Sequence, residues 1–240
     1  MAAPGIGRTA RVSPPAVEAI GLRRIYGAGA AEVVALDAVS LRVAQGEVVA
    51  VMGPSGSGKT TLLSVLGGIL RPTAGRVFLE GHEVSAMPEA TRAEARRRLV
   101  GFIFQAFNLF AALTARENVE LVLNLHGVRG REARERSRAL LEAVGLERRA
   151  GHLPRDLSGG EKQRVSIARA LAGSPPIVLA DEPTGNLDWK TGQRIVELLI
   201  GEARARGRAV VVVTHDTRIE TMADRVLRLE DGRLAGEVAA

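Results

Sequence analysis

Cysteine is absent from this 240-residue chain, which excludes disulfides and cysteine-ligated metal centres. Aromatic residues make up only 3% of it, so its core must be aliphatic. Long apolar runs are missing as well. The longest, such as Ala209 to Val213, fall far short of the roughly 20 residues that a membrane-spanning helix needs. The stretch from Met1 to Pro15 has proline, glycine and scattered arginine but no apolar segment of the kind a secretory signal carries, and reads as a disordered tail. Lysine is scarce too, with Lys59, Lys162 and Lys190 standing among 33 basic residues.

What is present describes a globular chain, 46% hydrophobic and 25% charged, long enough for one large α/β domain. The net charge of +6 raises the question of nucleic acid. The arginines, however, are spread along helices and interleaved with glutamate, as in Arg131-Glu132-Ala133-Arg134-Glu135-Arg136. That is the pattern of a solvated helix face, and no nucleic-acid partner is expected.

One stretch carries specific chemistry. Gly53-Pro54-Ser55-Gly56-Ser57-Gly58-Lys59-Thr60 follows the apolar run Val48 to Met52 and precedes Thr61-Leu62-Leu63-Ser64-Val65-Leu66, placing a glycine-rich loop between a strand and a helix. Triphosphate oxygens are met by rows of backbone N–H groups. Glycines at 53, 56 and 58 let the main chain approach, and a helix beginning near Gly58 aims its positive end at the anion. Ser55, Ser57 and Thr61 complete the cradle. Lys59 supplies a mobile charge for the β- and γ-phosphates, and Thr60 a hydroxyl for Mg²⁺. In a chain that otherwise takes its positive charge from arginine, a lysine here fits where a planar fork would not.

Along the rest of the chain, Val17 to Tyr26 reads as a strand, and Val33 to Leu36 with Val39 to Val43 as two more around a turn at Asp37-Ala38, giving an antiparallel sheet. Tyr26 alone would cover core; beside a bound nucleotide it stacks on adenine. A strand is expected from Arg76 to Gly81, a short charged helix from Arg92 to Arg98, and a buried strand from Val100 to Phe104 ending on Gln105. Ala115 to Gly145 is helical, split near Gly127 to Gly130, and Lys162 to Leu171 is a further helix. Ile177 to Ala180, then Ala209 to Val213, are buried strands ending at Asp181-Glu182 and Thr214-His215-Asp216, with a helix from about Trp189 to Ala205 between them. A short helix follows, and a hairpin from Val226 to Val238 turns at Asp231-Gly232. Strands alternating with helices, each ending in a polar group, describe an open parallel sheet with its site along one edge.

Taken together, the phosphate loop, Gln105, Leu157-Ser158-Gly159-Gly160-Glu161, Ile177 to Glu182, Asn186-Leu187-Asp188 and His215 resemble the nucleotide-binding subunits of ATP-binding cassette (ABC) transporters over nearly the whole chain. The resemblance implies an α/β phosphate-loop NTPase fold of the ABC-ATPase type. It has a mostly parallel sheet core, an N-terminal antiparallel β subdomain and an inserted helical subdomain at about 106–172, all within a single domain over 16–238. ATP and Mg²⁺ are the implied cofactors. Ser158, Gly159 and Gly160 open a helix and make a second anion site, so one chain holds two half-sites. The family completes them by pairing two copies head to tail on ATP. By the same resemblance Asp181 holds Mg²⁺ and Glu182 polarises the attacking water. Gln105 senses metal and water, His215 contacts the γ-phosphate, and Asp188 reaches across the dimer.

Pro183 to Asp188 and Phe104-Gln105-Ala106-Phe107-Asn108-Leu109, with Leu113 to Val119, look like the MacB/LolD group, although Phe110-Ala111-Ala112 stands where members often carry proline. This implies an integral membrane permease as partner, with a periplasmic adaptor as a further element, and a place on the cytoplasmic face of the membrane held through that partner. A non-transporting FtsE-like regulator and an importer subunit are the alternatives. Four of the five phenylalanines lie between Phe102 and Phe110. Phe102 and Phe104 are expected on one strand face in the core, and Phe107 and Phe110 in a groove that receives a cytoplasmic helix of the membrane subunit.

Overall fold

The structure, a computed structural model, describes residues 14–185 and 187–239. The expected tail from Met1 to Pro15 lies almost wholly outside the described residues, as does Asn186.

The chain opens with β1 (Val17–Tyr26) and β2 (Val33–Val43), then enters the sheet core with β3 (Val48–Met52), whose every residue is buried. Helix α1 (Lys59–Leu66) follows, then β4 (Ala74–Leu79), β5 (His82–Glu83), α2 (Glu89–Leu99) and β6 (Val100–Ile103). Three helices come next, α3 (Ala115–Leu125), α4 (Gly130–Ala143) and α5 (Gly159–Ala172), leading into β7 (Ile177–Asp181). The remainder is α6 (Trp189–Arg206), β8 (Ala209–Thr214), the short α7 (Thr217–Glu220) and the hairpin β9 (Arg225–Glu230) and β10 (Arg233–Ala239).

Two sheets result. One is antiparallel in the order β2-β1-β4-β5; the other runs β10-β9-β3-β8-β7-β6, with every neighbouring pair parallel except β10 against β9. The inner strands β3, β7 and β8 of the second sheet are covered on both faces, so they read as nearly unbroken apolar runs rather than alternating ones. Period two still divides them. Val48, Ala50 and Met52 join a core with α3, α4, α5 and α6, while Val49 and Val51 join a second core with α1 and the antiparallel sheet. Both cores are aliphatic, as the shortage of aromatics requires.

Two expectations are corrected. The turn at Asp37-Ala38 does not break the chain into two strands: β2 is continuous, paired with β1 from Val33↔Tyr26 to Val43↔Val17. Ala38 sits at φ 53° and the register slips there, so the polar pair marks a bulge, and Asp37 donates its N–H to Gly232 in the distant hairpin. Phe102 and Phe104 are only half-buried: Phe102 packs against the second core, as expected, whereas Phe104 does not join it. Strand β6 stops at Ile103, and the two rings stack at 5.4 Å on a half-buried surface groove.

Candidate functional site

The glycine-rich loop joins the C-terminal end of β3 to α1, and three features of the fold shape it. Gly58 adopts φ 102°, and a side chain there would come within 2.4 Å of the Ala35 carbonyl oxygen. At Gly53 a Cβ would stand 2.1 Å from the Leu229 carbonyl oxygen. The loop is therefore wedged between β2 and the terminal hairpin, where only glycine fits. Ser57 anchors it by accepting at its carbonyl from Gly232 N–H at 3.0 Å. Its hydroxyl is buried without a partner.

A cleft of about 640 Å³ opens beside the loop, lined among others by Ser55, Gly56, Lys59, Thr60, Gln105, Asp181, Glu182 and His215. Gly58 and Thr61 line it too, whereas Gly53 and Ser57 stand behind as scaffold. These residues come from the ends of β3, β6, β7 and β8, neighbouring parallel strands whose polar termini share one edge of the sheet.

Lys59 is nearly buried, and its ammonium donates to the carbonyls of Gly53 and Pro54, each at 2.8 Å. The loop thus parks a positive charge in its own centre. Thr60 Oγ1 lies 3.3 Å from Asp181 Oδ1, donating to it. Burial pushes the Asp181 carboxyl above its ordinary value, with the charge of Glu182 adding to the rise; the Thr60 hydroxyl and Lys59 pull the other way. A carboxylate penalised in this way gains from a cation at its face.

Glu182 holds φ 46°, a left-handed conformation that costs a residue with a side chain about 1–3 kcal/mol. Its carboxylate accepts from Thr214 Oγ1 at 2.9 Å and meets His215 Nδ1 at 2.9 Å. Glu182 is almost buried while the His215 ring is 73% exposed, so the pair spans the wall of the cleft from interior to solvent. Thr184 Oγ1 donates to Asp216 at 2.7 Å and ties the same two strand ends together one step further on. Beyond Gln105, Phe107 and Asn108 both take positive φ, and the buried Arg169 of α5 donates to both their carbonyls. That clamp holds the loop in a path the backbone alone disfavours.

Not every candidate meets at the cleft. Ser158 caps α5, accepting from Glu161 N–H at 3.2 Å while Glu161 accepts from Ser158 N–H, and Gly159 and Gly160 begin the helix. Asp188 caps α6 in the same way, accepting from Thr191 N–H at 3.1 Å. All four residues lie outside the cleft lining, and the two caps are close together, because a Cβ at Gly160 would touch Leu187 at 3.4 Å. Tyr26 is also outside. It is exposed, pairs with Val33 across β1 and β2, and has the Arg24 guanidinium 4.6 Å over one ring face. Sequence reasoning missed Val33, Val34 and Ala35, which line the cleft from β2. The exposure of Val33 and Val34 was not legible in an apolar run read simply as strand.

The residues fit ATP and Mg²⁺. Gly53 and Gly58 of the cradle have room only for backbone, the ammonium of Lys59 is held on the loop's own carbonyls, and a hydroxyl and a carboxylate face one another at metal-sharing distance. Among the described residues no cluster of three or more His, Cys, Asp or Glu stands ready for a metal.

Comparison with known proteins agrees with this geometry. A family model described as ABC transporter matches residues 36–185. The chain is 49% identical over 215 residues to the lipoprotein-releasing system ATP-binding protein LolD of Chromohalobacter salexigens, covering 90% of this chain and 91% of that one. It is 46% identical over 222 residues to the macrolide export ATP-binding/permease protein MacB of Rhodospirillum rubrum, covering 92% of this chain but only 34% of that protein. A solved ATP-binding cassette, a dimer in a post-hydrolysis state with ADP and Pi, superposes with a TM-score of 0.89 at 42% identity, covering 93% of this chain and 98% of that one. The fold is accordingly the phosphate-loop ABC-ATPase fold, and the chain belongs to the ABC transporter family, as an ATP-binding subunit of the kind that includes LolD and MacB.

Proposed function

We propose that two copies of this chain bind and hydrolyse ATP between them and use the cycle to drive a separate integral membrane subunit, in export or mechanical transmission across the envelope. The observation that carries the reading is the division of the anion-binding groups. Lys59, Thr60, Asp181 and Glu182 share one cleft, whereas the capped start of α5 at Ser158 to Gly160 faces elsewhere on the same chain. A second copy, turned head to tail, brings that helix start over the triphosphate. The dimeric cassette with ADP and Pi supports such pairing.

In the closed site Gly53 to Thr61 would hold the phosphates, and Thr60, Asp181 and Gln105 the metal. Bound Mg²⁺ would supply charge neutralisation at the transferred phosphoryl group. Glu182 would orient and polarise the water, held in place by Thr214, and His215 would meet the γ-phosphate. Asp188 would reach the partner. The exposed face of Tyr26 would stack on adenine. For the membrane subunit, the groove lined by Phe104, Phe110, Leu125 and His126 offers an apolar seat, with Phe110 53% and Leu125 57% exposed. Similarity to a lipoprotein-releasing system ATP-binding protein and to a macrolide export protein supports the export reading.

Glu182→Gln is the deciding variant. It should bind ATP, lose most hydrolysis and run as a dimer on gel filtration only with ATP. Hydrolysis at the wild-type rate would remove Glu182 from the chemistry, and retained turnover in Lys59→Ala would refute the phosphate-loop assignment.

A further inference from the structure

A second cavity lies where the helical layer meets α6, remote from the nucleotide cleft. It encloses about 330 Å³, at the lower end of the range for small-molecule pockets, about 300–1,000 Å³. Its walls are apolar, with Leu140, Val144, Leu171 and Leu198 contributed by α4, the turn after it, α5 and α6. Four charged groups face it: Arg136, Glu202, Arg206 and Arg208.

Their charges do not balance. Arg136 is paired with Glu132 on its own helix at 2.6 Å. Glu202 Oε2 is shared, lying 3.3 Å from Arg206 Nε and 3.4 Å from Arg208 Nε. One guanidinium charge is left over. Arg208 is the buried one, only 4% exposed, and its Nη1 has no hydrogen-bond partner. A buried arginine with half a carboxylate is a costly arrangement.

We propose that this cavity binds a small amphipathic monocarboxylate, its carboxylate against Arg208 and Arg206 and its apolar body against Leu140, Leu171 and Leu198. One negative charge matches the surplus, and the apolar walls exclude a bare inorganic anion as the preferred ligand. Because the walls come from α4, α5 and α6, an occupant would bind these helices to one another.

Isothermal titration calorimetry of the full chain with octanoate, octanol and acetate tests the proposal. Octanoate should bind saturably at one site, and octanol and acetate at least about tenfold more weakly, as loss of one charged hydrogen bond or of the apolar contact implies. Arg208→Met should weaken octanoate about tenfold, and Leu140→Trp, which fills the cavity, should abolish its binding, with ATP affinity kept as the sign of a folded protein. Octanol binding as tightly as octanoate, no saturable octanoate binding, or unchanged binding in Leu140→Trp each overturns the idea. Should Arg208→Met fail to fold, the octanoate-to-octanol ratio on the unaltered chain decides.

Discussion

At the level of single residues, the site is made of groups held in states that cost the isolated chain something. Gly58 needs both a positive φ and the space against Ala35. Gly58→Ala should therefore lose nucleotide binding and about 1–3 kcal/mol of stability, read by nucleotide titration and urea unfolding. Asp181 is the second case. Burial, the largest cause, holds its carboxyl above the ordinary value of about 3.9. A raised carboxyl takes up its proton earlier as pH falls, and the protonated form no longer attracts a cation. Mg²⁺-dependent nucleotide affinity should thus decline at a higher pH than an exposed aspartate would permit, and Asp181→Asn should show no such dependence. A pH titration of nucleotide affinity with and without Mg²⁺ makes the comparison, and identical profiles for the two proteins would dismiss it.

At the level of elements, α3 and α5 begin with the same device. Thr114 Oγ1 accepts from Glu117 N–H at 3.2 Å while Glu117 accepts from Thr114 N–H at 2.8 Å, and Ser158 and Glu161 repeat the exchange. The backbone N–H bonds lower both glutamate pKa values, as the largest cause in each. A lowered carboxyl stabilises fully above its unfolded value of about 4.3 and ceases to do so as pH falls through the folded one. Thr114→Ala should cost about 1 kcal/mol in urea denaturation at neutral pH. The part of the difference that comes from the Thr114 hydroxyl donating to the Glu117 carboxylate should vanish in acid; a constant difference would assign the whole loss to the Glu117 N–H left without its Oγ1 acceptor.

At the level of the whole molecule, the parallel sheet collects the polar ends of four strands at one edge, while the helical layer carries the capped start of α5 away from it. On the proposed function, communication with a membrane subunit would pass through this layer and the loop after β6. In that loop Phe110 lines the groove and Phe107 does not. Phe110→Ala should keep basal ATPase activity and lose its stimulation by the membrane subunit in a reconstituted complex. Stimulation at the wild-type level would place the coupling surface elsewhere.

By itself the sequence determined whatever depends on local spacing: the strand-loop-helix of the phosphate cradle, the helix caps, the buried strands ending in acid or histidine, and the aliphatic core. Those are written within a few residues of each other, in propensities and periodicities that act over short range. Only the tertiary structure decided the continuity of β2 through Ala38, the place of Phe104 outside the core, and the backbone atoms that make Gly53 and Gly58 obligatory. It also decided the unbalanced arginine at the α4, α5 and α6 junction. The physical reason is the same in each case: these properties arise where segments far apart in the chain meet, as Leu229 does against Gly53, or as Glu202 and Arg208 share one cavity with Leu140, and no local pattern encodes who the neighbour will be.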